Sequence, residues 1–200
     1  GLPKRGERVT VALSRRGVLG DYHDEYSGDL IAHYEQQGYP LWVFLEVVEF
    51  GRFCDFWLFC AKRWNDKRMF DYHYVLKSVK ALRNASCHNS CIINGLSTDS
   101  DRAGFPISDP ILVSLREHGL KNSKSTRAKL RNLRVAQIAA ALFASNEFCQ
   151  NVKTGKRHAE EMFSVRMSFK VARPICPADG SLVSFFDFIL RLVDIWVPKS

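Results

Sequence analysis

The sequence lacks an uninterrupted apolar run long enough to cross a membrane. Its most apolar stretch, residues 41–60, is interrupted by charged side chains, namely Glu46, Glu49, Arg52 and Asp55. Because a spanning helix needs about 20 predominantly apolar residues, this stretch predicts an amphipathic, largely buried helix. No signal-peptide pattern is visible either. We therefore expect a cytoplasmic protein that has no membrane partner.

The six cysteines form no C-x-x-C pair, and the sequence has no Cys/His clusters at zinc-binding spacing. Several cysteines, such as Cys54 and Cys60, lie in apolar runs. They are predicted to be small buried side chains in a reducing compartment. The short cluster of Asp21, His23 and Asp24 has no partner cluster elsewhere in the chain. We therefore expect no metal site and no cofactor.

The sequence also lacks the alternating apolar and polar runs of strands, internal repeats and low-complexity segments. Apolar residues instead recur at helical spacing in residues 67–86 and 182–197. Residues 41–64 carry aromatic side chains on more than one face, which is typical of a helix central to a bundle. Their Phe and Trp side chains are predicted to be core rather than base-stacking platforms. The expected fold is all-α, with five to six main helices in a single domain over residues 21–200.

Positive charge is in excess, since 29 Lys and Arg face 21 Asp and Glu for a net charge of +8. Such a balance favours a polyanionic partner, of which nucleic acid is the commonest. Residues 1–20 are predicted to form a basic N-terminal arm. The densest basic run, residues 121–134, opens a predicted helix that Ser125 or Thr126 caps and that continues to Phe148. A solvated basic face is the alternative interpretation. The candidate RNA-binding side chains are Lys77, Lys80, Lys121, Lys124, Arg127, Lys129, Arg131 and Arg134.

Residues suited to phosphate chemistry occur near the end of the helix predicted over residues 67–86, where Arg83 and Asn84 precede His88. Arginine binds phosphate through a planar fork, and histidine titrates near neutral pH. On a straight helix Asn84 and His88 share a face while Arg83 diverges from His88. Residues 84–90 are moderate to poor helix formers, so a frayed or kinked end is a way to bring the three together. The alternative is an arginine paired with a carboxylate and a histidine that caps carbonyls.

RNA transesterification would use such a set of residues. The ribose 2′-hydroxyl is an internal nucleophile beside the phosphorus, so the reaction needs neither a metal nor a protein nucleophile. It needs a proton acceptor, a proton donor and positive charge at the phosphorane. One imidazole serves both proton transfers poorly, whereas two copies of the motif in a dimer supply two.

The motif is similar to the R-x4-6-H motif of the HEPN superfamily (higher eukaryotes and prokaryotes nucleotide-binding domains). With its upstream context it resembles the abortive-infection branch, the Abi-like proteins of bacteria, over roughly residues 21–94. The matching residues are Leu82, Arg83, Asn84, His88 and Asn94, preceded by His33, Tyr34 and the run from Leu41 to Gly51. Two positions depart from the family pattern: Asn89 stands where a second histidine is frequent, and Cys91 where a basic residue is expected.

The resemblance implies a HEPN-like helical bundle and a homodimer in which the two motifs face each other as a composite active site. It implies a metal-independent endoribonuclease of phage defence, toxin-like and controlled by a bound regulatory RNA or by a protein such as an antitoxin. In that site Arg83 would hold the phosphate, His88 would transfer the proton and Asn84 would orient the histidine or the scissile group. RNA would be the substrate.

Two other functions are compatible with parts of the sequence. A non-catalytic RNA-binding or scaffold protein is the alternative, because HEPN domains can lose activity and keep the fold. The intact Arg83, Asn84 and His88 favour the ribonuclease. A helix-turn-helix regulator is disfavoured, because the basic run has no clear recognition helix after a short turn.

Overall fold

The chain folds into helices, and α is the only regular secondary structure in the parts that the structure describes. The structure, a computed structural model, describes residues 28–34, 37–96, 106–149, 151–172 and 180–197. In these ranges the helices are α1 (Gly28–Tyr34), α2 (Leu41–Val47), α3 (Phe50–Trp64), α4 (Lys67–Cys87), α5 (Asp109–Glu117), α6 (Lys124–Leu130), α7 (Leu133–Phe148), α8 (Val152–Ala172) and α9 (Gly180–Trp196). The predicted all-α class is confirmed. The predicted basic arm and the Asp21, His23, Asp24 cluster lie outside the described residues.

The main core lies around α7, which packs against α4 on one side and α9 on another. Val135 and Ala139 of α7 are fully buried against Val75 of α4 and Leu192 of α9. Small alanines along α7 let its neighbours approach closely, and burying a side chain such as Leu192 contributes about 2 kcal/mol. The Trp196 indole N–H at the end of α9 donates to the Ser114 hydroxyl of α5 at 2.9 Å. The core therefore joins α4, α5, α7 and α9.

The helix predicted over residues 41–64 is two helices, and this expectation was wrong. Val48 and Glu49 between them have extended dihedral angles, with ψ of 133° and 139°. A β-branched pair, Val47 and Val48, favours extended backbone at this point. The break lets Phe44 and Val47 of α2 pack in a second, smaller core cluster beside α1.

The predicted central position of this region was also wrong, because α7 and not α3 is the central helix. Three aromatic side chains expected in the core are exposed: Trp42 by 55%, Phe59 by 61% and Trp64 by 64%. The helix α3 packs mainly on α4, so its outer face has no neighbour among the described elements. The prediction holds for Trp57, which is half-buried and donates its indole N–H to the Met69 carbonyl at 2.7 Å.

The helix that was predicted to begin near Ser125 or Thr126 and to continue to Phe148 is also two helices. Ser123, and not Ser125 or Thr126, caps α6 by accepting from the Thr126 N–H at 3.1 Å. The chain then breaks, and Asn132 caps α7 by accepting from the N–H groups of the second and third residues after it. Because two predicted helices are divided, the described residues contain more helices than the five to six expected. Of the cysteines, Cys54 and Cys60 are buried as predicted, whereas Cys87, Cys91 and Cys149 are exposed.

Candidate active site

The helix α4 positions the candidate catalytic residues, and both of its ends are closed by local hydrogen bonds. At its start, the Asp66 carboxylate accepts from the Met69 N–H at 2.9 Å, which satisfies a backbone donor that the helix leaves free. At its end, Asn89 adopts a left-handed conformation with φ of 52°. The Ser90 N–H then bonds to the Ala85 carbonyl at 2.8 Å, and the Asn89 N–H bonds to the Ser86 carbonyl at 3.1 Å. This pair of bonds is a Schellman motif.

The Schellman motif gives a structural reason for asparagine at position 89. Asparagine is among the few non-glycine residues that adopt the left-handed conformation readily. At position 89 it ends α4 directly after His88, so the helix stays regular through Cys87 without the fray or kink that the sequence suggested. His88 therefore stands at the C-cap of a well-formed helix, with φ of −92° and ψ of 13°.

The three candidate residues lie at the last turns of α4, but they do not converge within one chain. The Arg83 guanidinium donates to the Asn84 side-chain oxygen at 3.2 Å, and the His88 N–H donates to the Asn84 carbonyl at 3.0 Å. At about 100° per residue, Asn84 and His88 leave the helix about 40° apart, whereas Arg83 and His88 leave it about 140° apart. Within the described residues the exposed His88 imidazole has no hydrogen-bond partner. One chain thus presents a histidine and an amide on one side and an arginine beside them.

Cations are needed at this end of α4, because the carbonyl end of a helix is the negative end of its dipole and repels phosphate. Lys77 lies on the same side of α4 as Asn84 and His88, since steps of seven and four residues return to one face. Lys80 is half-buried and lies against the backbone of α3, where a Cβ added at Gly51 would be 2.5 Å from its Nζ. A glycine at position 51 therefore makes room for the Lys80 side chain.

The segment after the motif is fixed to the start of α7. The Arg134 Nε donates to the Asn94 carbonyl at 3.2 Å, and the Asn132 side-chain amide donates to the Gly95 carbonyl at 3.0 Å. The next residue, Leu96, is fully buried in the main core. The turn that carries His88 is consequently held at both ends, by α4 before it and by α7 after it.

A groove that the sequence did not predict runs along α4 towards the motif. We name it the α4–α5 groove, and its volume is about 560 Å³. Its described lining residues are Asp71, Tyr74, Lys77, Ser78 and Ala81 of α4, residues 106–109 at the start of α5, and Gln137 of α7. A signal was available in the sequence, because Tyr74, Ser78 and Ala81 form a helical stripe of one aromatic and two small side chains.

Residues 7–94 match the family model of the Abi-like proteins. The resemblance to Abi-like proteins that was predicted over roughly residues 21–94 is therefore confirmed, and the matching stretch contains Arg83, Asn84 and His88. The searches of curated proteins and of solved structures found no significant match.

The Abi-like stretch contains α1 to α4, and the core that supports it comes largely from the helices that follow. Val75 on its last helix is buried against α7, and Tyr72 donates its hydroxyl to the Glu147 carboxylate of α7 at 2.8 Å. Arg68 donates to the same carboxylate at 2.7 Å. The first half of the helix that carries the motif is therefore held by residues outside the Abi-like match.

The predicted RNA-binding residues have two kinds of surroundings. Two of them make contacts within the fold: Lys129 donates to the Ser184 carbonyl at 3.0 Å, and Arg134 also donates to Gln137 at 3.2 Å. Lys80 is half-buried, as described above. The other candidates are exposed: Lys77, Lys121, Lys124, Arg127 and Arg131. Among the described residues, these last five present their cationic groups to solvent and make no side-chain hydrogen bond or ion pair.

Neither a metal cluster nor a membrane helix is found in the described part of the chain. No group of three or more His, Cys, Asp and Glu side chains there is arranged to hold a metal ion. No helix among the described residues is long and apolar enough to span a membrane.

Proposed function

We propose that the protein is a metal-independent endoribonuclease of bacterial phage defence that cleaves RNA with Arg83, Asn84 and His88. The observation that carries the proposal is the position of these residues: all three lie within the Abi-like match and at the exposed end of α4. Asn84 and His88 share a side of the helix, and Arg83 is hydrogen-bonded to Asn84. This order of amide, imidazole and guanidinium suits a phosphodiester that needs orientation, proton transfer and charge.

The proposed reaction begins when a base takes the proton of the ribose 2′-hydroxyl. The 2′-oxygen then attacks the adjacent phosphorus, and the bond to the 5′-oxygen of the next nucleotide breaks as that oxygen receives a proton. The products carry a 2′,3′-cyclic phosphate and a 5′-hydroxyl. His88 moves a proton, Arg83 stabilises the negative charge that develops on the phosphorane, and the Asn84 side chain orients the reacting groups.

A homodimer would complete this site. One His88 provides one imidazole, whereas the reaction uses a proton acceptor and a proton donor at once. Arg83 and His88 of one chain also leave α4 about 140° apart, so they do not enclose a phosphate together. Two copies related by a twofold axis through the motif would supply two imidazoles and two guanidinium groups. Ile93, which is 42% exposed in the segment after the motif, offers apolar surface for that contact.

Control by a partner fits a toxin-like role. A nuclease that cuts cellular RNA must be held inactive until infection, and a protein antitoxin or a bound regulatory RNA would do this. The basic run provides a surface for RNA, whether substrate or regulator, through its exposed cations Lys121, Lys124, Arg127 and Arg131.

Incubation of the purified protein with RNA in EDTA tests the proposal. The wild type is expected to cut, and His88→Ala and Arg83→Ala are each expected to lose about 100-fold or more in rate. His118 and Arg116 of α5 provide matched controls, because His118 is also exposed at a helix C-cap, with φ of −86° and ψ of 15°. His118→Ala and Arg116→Ala are expected to cut like the wild type.

Two results would count against the proposal. Cleavage that stops on chelation and resumes with added metal would contradict the metal-independent reaction. The second result is RNA that stays intact both with and without a partner present. If that RNA also binds with a steep salt dependence, the non-catalytic RNA-binding alternative is favoured.

A further inference from the structure

We propose that the α4–α5 groove binds one nucleobase of the RNA strand, that the base stacks on Tyr74, and that Gln137 determines which base the groove accepts. This inference rests on the proposed function, because it concerns the strand whose phosphate would lie at His88. It names the residues that would make the protein prefer some RNA sequences over others.

The lining of the groove suits a flat, partly apolar ligand. The Tyr74 side chain is 49% exposed, and its ring is held from its own helix by edge contacts with Phe70 and His73 at centroid distances of 5.5 Å and 5.3 Å. Small or apolar side chains complete the lining, namely Ala81, Pro106 and Ile107. Bases of single-stranded RNA stack on such an exposed aromatic ring whatever their sequence.

Gln137 supplies a hydrogen-bond donor for the groove. Its side chain is only 6% exposed, and its oxygen accepts from the Arg134 guanidinium at 3.2 Å. Because a guanidinium can only donate, it bonds to the amide oxygen of Gln137, and the amide nitrogen points away from Arg134. The amide nitrogen has no hydrogen-bond partner among the described residues, and no fully buried side-chain nitrogen or oxygen there lacks a partner, so this nitrogen is not fully buried. It therefore reaches the groove, where it can donate to a base carbonyl.

The charges around the groove favour a neutral ligand over a phosphate. Among the described lining residues, Asp71 and Asp109 carry negative charge and Lys77 is the one cation. Asp71 is already paired with the Lys67 ammonium at 2.6 Å. Asp109 is exposed at the start of α5 and remains as an acceptor for an N–H group of a base, since carboxylates accept hydrogen bonds from nucleobases. An aromatic ring, a fixed amide donor and a carboxylate acceptor together match the faces and edges of a nucleobase.

The groove lies on the strip of α4 that leads to His88. From Tyr74 the strip passes through Ser78, Ala81 and Ala85, and steps of four, three, four and three residues keep it on one side of the helix. Ala81 and His88 are seven residues apart, or about 10 Å along the axis. An RNA strand along α4 would therefore place one phosphate at His88 and a nearby base in the groove.

Binding of an uncleavable RNA tests the groove separately from the reaction. The probe is a fluorescent 2′-O-methyl oligouridine, which lacks the nucleophile, and the readout is equilibrium anisotropy. Tyr74→Ala is expected to weaken binding about tenfold, while Tyr74→Phe keeps the stacking surface and binds like the wild type. Ala81→Trp, which fills the groove from an exposed position, should weaken binding similarly. Phe59→Ala is the matched control, because Phe59 is 61% exposed on α3, away from the groove.

A second comparison tests selection by Gln137. Gln137→Glu keeps an oxygen for Arg134 and replaces the amide donor by a second acceptor. The ratio of affinities for 2′-O-methyl oligouridine over oligocytidine is expected to fall about tenfold, because uracil presents a carbonyl where cytosine presents an amino group. An unchanged ratio, or Tyr74→Ala and Ala81→Trp that bind like the wild type, would overturn the inference. Groove-dependent binding by a protein that never cuts RNA would instead overturn the proposed reaction alone.

Discussion

At the scale of single residues, the position of His88 depends on its neighbour Asn89. The left-handed conformation of Asn89 closes α4 and sets the direction in which the chain leaves the candidate site. The same device occurs at Asn65, whose φ is also 52° and which ends α3 before Asp66 starts α4. The sequence contains both asparagines. Its local pattern does not show whether the asparagine at position 89 ends a helix or stands in the place of a histidine.

Replacing Asn89 tests this role of the residue. Asn89→Gly is expected to preserve stability and cleavage, because glycine adopts the left-handed conformation without strain. Asn89→Val is expected to lower the free energy of unfolding by about 1–2 kcal/mol, since a β-branched residue is strained there. Urea denaturation measures the difference, and Ser90→Val at the adjacent position is the control. Equal stability of Asn89→Gly and Asn89→Val would refute the role of the left-handed turn.

His73 links stability to pH. It is buried between α3 and α4, where its Nδ1 lies 3.0 Å from the Cys54 carbonyl. Burial lowers the pKa of His73 below its ordinary value, with Lys77 and Lys62 acting in the same direction and the Cys54 carbonyl and Asp55 opposing them. The folded state therefore keeps the ring neutral, while the unfolded state binds a proton as the pH falls below about 6.5.

Stability is accordingly expected to decrease as the pH falls from about 7 to 5, because the unfolded state takes up more protons than the folded state. The free energy of unfolding of His73→Gln should fall less steeply over that range than that of the wild type. His118→Gln, which changes an exposed histidine, is the control and should keep the wild-type slope. Parallel curves for His73→Gln and the wild type would show that His73 titrates alike in both states.

At the scale of elements, regular helices could be predicted from the sequence, whereas their breaks could not. The prediction for residues 67–86 agrees with α4 to within one residue at its end, because the apolar spacing of this stretch is regular. The break at Val48 and Glu49 has no Gly or Pro to mark it. The β-branched Val48 favours extended backbone there. The packing of α2 against α1 that accompanies the break is a tertiary contact, which local sequence does not contain.

The exposed aromatics of α3 show the same limit. A helix with aromatic side chains on several faces predicts a central position only if enough neighbours surround it. Here the alanine-rich α7 occupies the centre, and Phe59 and Trp64 remain exposed. At the candidate site, the sequence was sufficient to propose Arg83, Asn84 and His88, but the groove beside them depends on Gln137, which lies far away in the chain.

A core substitution in the last helix tests how the elements depend on one another. Leu192 of α9 is fully buried in the cluster that includes Val75 of α4. Leu192→Ala is expected to lower the free energy of unfolding by about 2–5 kcal/mol and to do so in a single cooperative transition. Leu133→Ala at a site that is 41% exposed is the control, with a much smaller loss. Two separate transitions would contradict a single domain over residues 21–200.

At the scale of the whole molecule, the Abi-like stretch packs on a core that is formed largely by the helices after it. Residues 7–94 carry the motif, and α7 and α9 hold the helix on which it ends. The net charge of +8 favours an RNA partner, and the divergence of Arg83 and His88 favours two copies of the chain at one phosphate. Dimerisation and RNA cleavage are therefore expected to be lost together when the contact at the motif is disrupted.

The most direct test of the central claim is cleavage of an RNA that lacks a single 2′-hydroxyl. The cut site is first mapped with the wild-type protein in EDTA, and the same RNA is then made with a 2′-deoxy nucleotide on the 5′ side of that cut. We expect a 2′,3′-cyclic phosphate and a 5′-hydroxyl in the first reaction and no cut at that position in the second. A cut that survives the 2′-deoxy substitution, or products with 3′-hydroxyl and 5′-phosphate ends, would contradict attack by the 2′-hydroxyl.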